Sequence, residues 1–195
     1  MQQRVPWWGL VSAAAAPVLL IGGWTVAASR QPAGFDSVAD TISALAALDA
    51  EDRWLMTGAL AGLGLCHITT ALALRSLAVP GRLLLGAGGV ATLLVAAFPL
   101  PGDGEGSIAH TIAATAAFAA LSVWPALAVT RGHRGAAPAR PVVGFAAAAV
   151  LVGLLGWFGA ELAAEDGRVD LAERVTAGAQ ALWPLAAVLA SRRRT

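Results

Sequence analysis

Long runs of apolar residues alternate with short polar connections along the whole chain. Six runs approach or reach the roughly 17–25 residues that a helix needs to cross a bilayer. They lie at about 8–28, 54–74, 83–100, 107–129, 142–161 and 171–190. The runs are continuous and rich in Ala and Leu, which favours helices over the alternating pattern of strands. The pattern therefore predicts an all-α membrane protein, a single domain over residues 1–195 that folds as a six-transmembrane-helix bundle.

The first apolar run also has features of a signal peptide, because Arg4 precedes it and Val26-Ala27-Ala28 resembles a cleavage site. Its apolar stretch is longer than the roughly 7–15 residues of a signal-peptide core. We therefore expect this run to be retained as the first transmembrane helix.

The connection between the first and second runs carries a helical pattern of its own. Val38, Ile42 and Leu45 recur at i, i+4 and i+7, and Asp36 or Ser37 is a suitable N-cap. The pattern predicts a short outer helix that lies in the membrane interface or folds back over the mouth of the bundle.

Composition narrows the class of protein further. Hydrophobic residues make up 57% of the chain and charged residues only 13%, with a mean hydropathy of +0.70. Soluble domains carry about 25% charged residues, so a soluble enzyme, a disordered chain and a nucleic-acid-binding protein are excluded. The single cysteine, Cys66, excludes an internal disulfide framework and a multi-cysteine metal site.

The charges are distributed unequally between the two sides of the predicted bundle. All thirteen basic residues are Arg, and nine of them fall on the side of the two termini. These are Arg4, Arg75, Arg82, Arg131, Arg134, Arg140, Arg192, Arg193 and Arg194. All twelve acidic residues fall on the opposite side. Cytoplasmic loops are enriched in basic residues, so we expect a multi-pass protein of the cytoplasmic (inner) membrane with both termini in the cytoplasm.

Several residues with acid–base chemistry share a depth near the predicted outer surface. Asp40, His110, Glu161 and Glu173 lie there, and Gln180 follows Glu173 by seven residues on the same helix face. Carboxyl groups that are crowded in a partly apolar setting tend to stay protonated, which suits a general acid. The alternative interpretation is a solvated rim without chemistry.

Aromatic residues accompany these acids. Trp24, Trp54 and Trp157 fall in the outer third of their helices, and Phe35 lies in the first outer connection. Tryptophans at this depth form an aromatic belt in many membrane proteins. Turned inward, they would line a pocket whose ring faces stabilise a cation.

Two histidines on neighbouring predicted helices could in principle be the axial ligands of a haem. His67 lies about thirteen residues into its helix and His110 about three, which separates them by roughly 15 Å along the membrane normal. Axial ligands of one haem cannot be so far apart, so we expect no cofactor and no metal. His67 is then interpreted as a histidine that hydrogen-bonds a neighbouring helix, while Ser107 is predicted to cap the helix that carries His110.

Five sequence elements carry a family resemblance: 35–45, 53–56 (Arg-Trp-Leu-Met), 98–100 (Phe-Pro-Leu), His110, and 170–174 (Asp-Leu-Ala-Glu-Arg). Together they resemble the bacterial integral membrane family named domain of unknown function 998. The resemblance covers nearly the whole chain and agrees with six helices. It implies a fold and little about activity.

By architecture, the chain also resembles the small integral membrane terpene cyclases, although the fungal type has seven spans. That resemblance implies a cofactor-independent enzyme in which a carboxylic acid protonates an isoprenoid or lipid-like substrate taken from the bilayer. Glu161 or Asp40 is the expected acid, with Glu173 a further candidate, and His110 would orient the acid or accept the final proton. The substrate-binding candidates are Trp24, Trp54, Trp157, Phe35 and Gln180. The competing hypothesis is a non-enzymatic membrane transporter or a subunit of an envelope complex.

Overall fold

The fold is entirely helical in a computed structural model that describes residues 4–32, 40–102, 105–130, 137–164 and 168–192. These ranges contain six α-helices, and no strands. The helices are α1 (Trp7–Ala28), α2 (Trp54–Ala73), α3 (Val79–Ala97), α4 (Ile108–Leu127), α5 (Pro141–Ala164) and α6 (Val169–Arg192). Two short 3₁₀ helices, Ala44–Ala46 and Ala137–Ala139, lie in connections. The all-α prediction is confirmed.

Five of these helices, α1 to α5, are long and apolar enough to cross a membrane. α6 differs because Asp170, Glu173 and Arg174 occupy its first turns and Arg192 ends it. Between Arg174 and Arg192 it has 17 uncharged residues, which is the lower limit for a span. The five apolar helices are the architecture of a multi-pass membrane protein.

The outer surface of the bundle is apolar. Ile108 is 82% exposed and Val142 is 81% exposed. In water, so many large apolar side chains on a surface would be unfavourable. In lipid they are not, because hydrocarbon chains are as apolar as the side chains themselves.

The six helices form a closed ring. Each packs against the next one in the chain, α6 returns to α1, and α6 also touches α2 and α4. Neighbouring helices are antiparallel, so the connections with most of the acidic residues gather at one end. We call this the acidic end; it holds the C-termini of α1, α3 and α5 and the N-termini of α2, α4 and α6. The opposite end is called the arginine end.

The closest approach within the ring is between α2 and α3. A Cβ atom added to Gly64 would lie 2.6 Å from the carbonyl oxygen of Gly89, and one added to Gly89 would lie 2.6 Å from that of Gly64. No larger residue fits at either position while the two backbones stay this close. The two glycines therefore hold α2 and α3 together as a tight pair.

The bounds predicted for the third helix, 83–100, are wrong by about a turn at the start and by three residues at the end. α3 begins at Val79, and Pro80 is tolerated there because the first turn needs no backbone donor. It ends at Ala97 because Pro99 disfavours helical geometry in the residue before it. Phe98 accordingly has φ −116° and ψ 72°.

The helix predicted in the connection between α1 and α2 is not present in its described part, residues 40–47. These residues form turns and the 3₁₀ helix Ala44–Ala46. The physical reason is that the Ile42 N–H binds the carboxyl group of Glu173 instead of a carbonyl of its own segment. Ile42 and Leu45 are nevertheless buried, so this 40–47 segment folds over the acidic end of the bundle. The expected cap residues Asp36 and Ser37 lie outside the described residues.

Candidate functional site

A cavity of about 60 Å³ lies inside the ring, below the 40–47 segment. Five helices line it, and among the described residues α5 contributes none. Most of its surface is apolar, from residues such as Leu20, Leu63 and Phe118. Its polar lining consists of Ser43, His67, Thr92, Glu173 and Gln180. The cavity thus combines an apolar wall with a few side chains that bear hydrogen-bonding groups.

Glu173 is the one acidic side chain among the described residues that line the cavity. It is 4% exposed, and its Oε2 accepts a hydrogen bond of 2.8 Å from the Ile42 backbone N–H. The Ser43 hydroxyl also interacts with this carboxyl group. Glu173 is placed here because it lies on the first turns of α6, directly below the 40–47 segment.

His110 lies next to Ser43, the residue whose hydroxyl contacts Glu173. Its Nε2 lies 3.1 Å from the Ser43 hydroxyl oxygen, and its Nδ1 lies 2.9 Å from the carbonyl oxygen of Phe98. A carbonyl oxygen can only accept, so Nδ1 carries the proton. In the neutral ring, Nε2 then accepts a hydrogen bond from Ser43. The Ser43 hydroxyl therefore joins the carboxyl group of Glu173 to the imidazole of His110.

The predicted helix cap at Ser107 is confirmed, and it helps to place His110. The Ser107 Oγ accepts a hydrogen bond of 3.3 Å from the His110 backbone N–H. The cap begins α4 so that His110 falls in its first turn, with its side chain 6% exposed and turned toward the 40–47 segment.

Charge near Glu173 is balanced by an ion pair on the same helix. Arg174 Nε donates a hydrogen bond to Asp170 Oδ2, and Asp170 is fully buried. The Arg174 guanidinium also lies over the Trp24 ring, 5.4 Å from its centroid. A second carboxylate close to Glu173 is thus neutralised by an arginine that is itself held against an aromatic face.

Glu161 and Asp40, the two acids that we expected to be the proton donor, do not line the cavity. Glu161 lies on α5, which is outside the cavity wall, and its Oε1 accepts a hydrogen bond of 2.9 Å from the Trp157 indole. Arg168 also reaches Glu161, at 3.7 Å. Asp40 is half-buried in the 40–47 segment. The shared depth of the acids was not enough to bring them together, because α5 stays outside the cavity wall and Asp40 lies in a connection rather than on a helix.

The aromatic residues that we expected to line a pocket are placed elsewhere. Trp54 is 68% exposed on the outside of the bundle, with the Arg53 guanidinium 3.7 Å from its ring centroid. Trp157 is turned toward Glu161, and Trp24 is half-buried against α6. These positions correct the expected aromatic pocket: a tryptophan at the end of an apolar helix packs as well against lipid as against protein. Phe35 lies outside the described residues.

Gln180 does line the cavity together with Glu173, as the seven-residue spacing predicts. Its Nε2 donates to the carbonyl oxygen of Phe118 at 3.0 Å and to the hydroxyl of Ser122 at 2.9 Å. The amide therefore ties α6 to α4 along the wall of the cavity.

His67 does not have the role that the sequence suggested. It is 1% exposed, and neither ring nitrogen has a hydrogen-bond partner among the described residues. The interpretation as a histidine bonded to a neighbouring helix is thus wrong. Its side chain instead lines the cavity, at a level between the acidic end and the arginine end.

Two residues of the site were missed in the sequence, Ser43 and Thr92. Ser43 belongs to the 35–45 element that carries the family resemblance, but it was not assigned to the site. Thr92 carried no signal, because its hydroxyl donates to the Gly88 carbonyl of its own helix, as threonine does on any face of an apolar helix.

The fold and this cavity define a class: a multi-pass helical membrane protein with a largely apolar cavity inside its bundle that carries a few polar side chains. Within that class, a family model described as "Protein of unknown function (DUF998)" matches residues 13–190. The chain belongs to this family, as its sequence resemblance indicated. No curated protein and no solved structure matches the chain.

Proposed function

We propose that this protein is a membrane-embedded enzyme that acts by acid–base chemistry on an isoprenoid or other lipid-like substrate, with Glu173 as the proton donor. One observation carries the proposal: Glu173 is the acidic side chain on an otherwise largely apolar cavity. An apolar substrate needs such a cavity, and a proton donor shielded from bulk water is effective in it because bulk solvent does not compete for the proton.

The most specific form of the proposal is a proton-initiated terpene cyclase. In it, the Glu173 carboxyl group transfers its proton to one carbon of a terminal double bond, and the positive charge develops on the other carbon. The ring of Phe118, on the cavity wall, stabilises this charge. The final cation gives up a proton to the Ser43 hydroxyl oxygen as that hydroxyl passes its own proton to Nε2 of His110. The reverse shift, from Nε2 through Ser43 to the Glu173 carboxylate, restores the neutral imidazole and the acid. This form requires no cofactor.

The size of the cavity limits how the substrate binds. An apolar cavity of about 150 Å³ holds a benzene ring, whereas this one has about 60 Å³. We therefore expect only the end of an isoprenoid chain to reach Glu173, after the side chains of the wall have moved apart. The rest of the chain would stay between the helices or in the bilayer.

The proposal includes an orientation in the membrane. We propose that α6 is a sixth span, that the arginine end faces the cytoplasm with both termini, and that the acidic end faces outward across the inner membrane. The support is the distribution of arginine along the sequence. With six spans, the 40–47 segment is an outer cover over the site.

One variant and two matched controls test the proposed acid. Glu173→Gln keeps an oxygen that accepts the Ile42 N–H but cannot donate a proton as an acid, so we expect loss of turnover of a farnesylated acceptor in isolated membranes. Glu161→Gln and Asp40→Asn alter acids outside the cavity wall and should retain turnover. Wild-type turnover in Glu173→Gln would remove Glu173 as the acid, and no conversion by the unaltered protein would remove the cyclase form.

A second candidate, transport of protons or of a small polar solute, is favoured by buried polar groups that continue from the cavity toward the arginine end. Gln180 contacts Ser122, and the hydroxyl groups of Ser12 and Thr70 lie 2.6 Å apart on α1 and α2. Intramembrane polar residues mark transport pathways in many proteins. Proton flux into proteoliposomes that is lost in Glu173→Gln, without turnover of any isoprenoid, would favour this function over the enzyme.

A further inference from the structure

His67 is a buried polar residue that the proposed function leaves without a role. It lies on α2, is 1% exposed and lines the cavity with Glu173. Both ring nitrogens are buried, and neither has a partner among the described residues. His110 offers a contrast, since each of its ring nitrogens is bonded to a protein oxygen.

An imidazole without partners is costly in an apolar interior. A neutral ring has one N–H donor and one nitrogen acceptor, and each buried group left without a hydrogen bond costs about 1–3 kcal/mol. A leucine at this position would fill the same wall without that cost. A histidine at this position is therefore best explained by a molecule in the cavity that forms a hydrogen bond with the His67 imidazole.

The volume and the wall indicate what that molecule is. About 60 Å³ has room for roughly two to four water molecules, or for the hydroxyl end of a longer molecule. A hydroxyl group both donates and accepts, so it can bind either nitrogen of a neutral imidazole. The mainly apolar remainder of the wall suits the carbon chain next to such a hydroxyl group.

We propose that His67 is a binding residue for a hydroxyl group that occupies this cavity, supplied either by ordered water or by an alcohol of isoprenoid type. The cavity then has two polar ends, the Glu173 carboxyl group below the 40–47 segment and the His67 imidazole deeper in the bundle. For the alcohol, the inference rests on the proposed function and gives its substrate a hydroxyl group. For water, it is independent of that function.

Nuclear magnetic resonance of the full chain in lipid nanodiscs, with ¹⁵N-labelled histidine, tests the inference by binding rather than by turnover. The chain has three histidines, so single His→Gln variants assign the imidazole signals. Magnetisation transfer from water detects bound water at each ring. Titration with prenol, (CH₃)₂C=CH–CH₂OH, detects an alcohol, and 2-methyl-2-pentene is its matched control because a methyl group replaces the hydroxyl group.

We expect the His67 signals to show transfer from water, or a saturable shift with prenol that 2-methyl-2-pentene does not produce. The first result identifies water as the source of the hydroxyl group, and the second identifies an alcohol. The His110 signals should change in neither experiment. Absence of both effects at His67 would overturn the inference, and so would an equal shift with the hydrocarbon. Because no turnover is measured, neither result depends on Glu173 being an acid.

Discussion

The hydroxyl oxygen of Ser43 lies 3.1 Å from Nε2 of His110, although the two residues are 67 positions apart in the chain. This contact joins the 40–47 segment to the first turn of α4. The same hydroxyl interacts with Glu173 at the start of α6. A single side chain of a connection thus links two helices above the cavity.

Loss of the Ser43 hydroxyl is expected to destabilise the protein. In Ser43→Ala, Nε2 of His110 stays buried without a partner, which costs about 1–3 kcal/mol. Thermal unfolding in detergent measures the effect. Ser29→Ala is the control, because Ser29 is exposed and its hydroxyl donates to the carbonyl oxygen of Val26 in the adjoining turn of α1. An equal decrease of the melting temperature in both variants would contradict the role of Ser43.

The carboxyl group of Glu173 is expected to hold the 40–47 segment in place. Glu173→Leu removes the acceptor of the Ile42 N–H, whereas Glu173→Gln retains one. Hydrogen exchange at the Ile42 amide should therefore be faster in the leucine variant and close to wild type in the glutamine variant. If the Ile42 amide exchanges equally fast in wild type and Glu173→Leu, the segment is held by its apolar contacts alone.

The approach of α2 and α3 predicts a position-specific response to alanine. In Gly64→Ala the new methyl group meets the Gly89 carbonyl, and we expect a loss of about 1–3 kcal/mol from overpacking. Gly58→Ala on the same helix is the matched control, because a Cβ atom there has no neighbour within 4 Å. Alanine is the better helix former, so Gly58→Ala should be neutral or stabilising. Unfolding in detergent that is unchanged in Gly64→Ala would show that the two helices are not in contact.

Trp54 and Trp124 should differ in their contact with lipid. Trp54 is 68% exposed and Trp124 is 1% exposed. In bilayers of brominated lipid, which quenches indole fluorescence on contact, Trp54→Phe should remove a quenched component. Trp124→Phe should leave the quenched component intact and lower the unquenched intensity. The reverse pattern would place Trp54 inside the bundle.

The helices could be predicted from the sequence because the length of an apolar run is a direct measure of a helix that fits a bilayer. The ends of the helices were harder to predict, because a local effect of Pro99 on Phe98 shortened α3. The 40–47 segment was also harder to predict, because a contact with Glu173 from the far end of the chain kept it from forming an α-helix. Such a contact leaves no periodic pattern in either segment.

The site was predictable only where polar residues on one helix share a face. Glu173 and Gln180 were placed together correctly for that reason. Glu161 and Trp54 were not, because α2 and α5 are apolar on nearly all sides and their sequences do not indicate which side faces inward. The partners of His110, and the lack of partners at His67, depend on rotations of helices about their axes that are set by packing.

The glycine contact between α2 and α3 has a consequence for how a guest molecule enters. His67 and Thr92 stand on these two helices, so they belong to one rigid wall. α6 packs less closely against α1 and α4 than α2 packs against α3, so we expect a guest molecule to enter beside α6, beneath the 40–47 segment. Glu173 then stands on the side of entry, and His67 and Thr92 stand on the wall that the two glycines hold together.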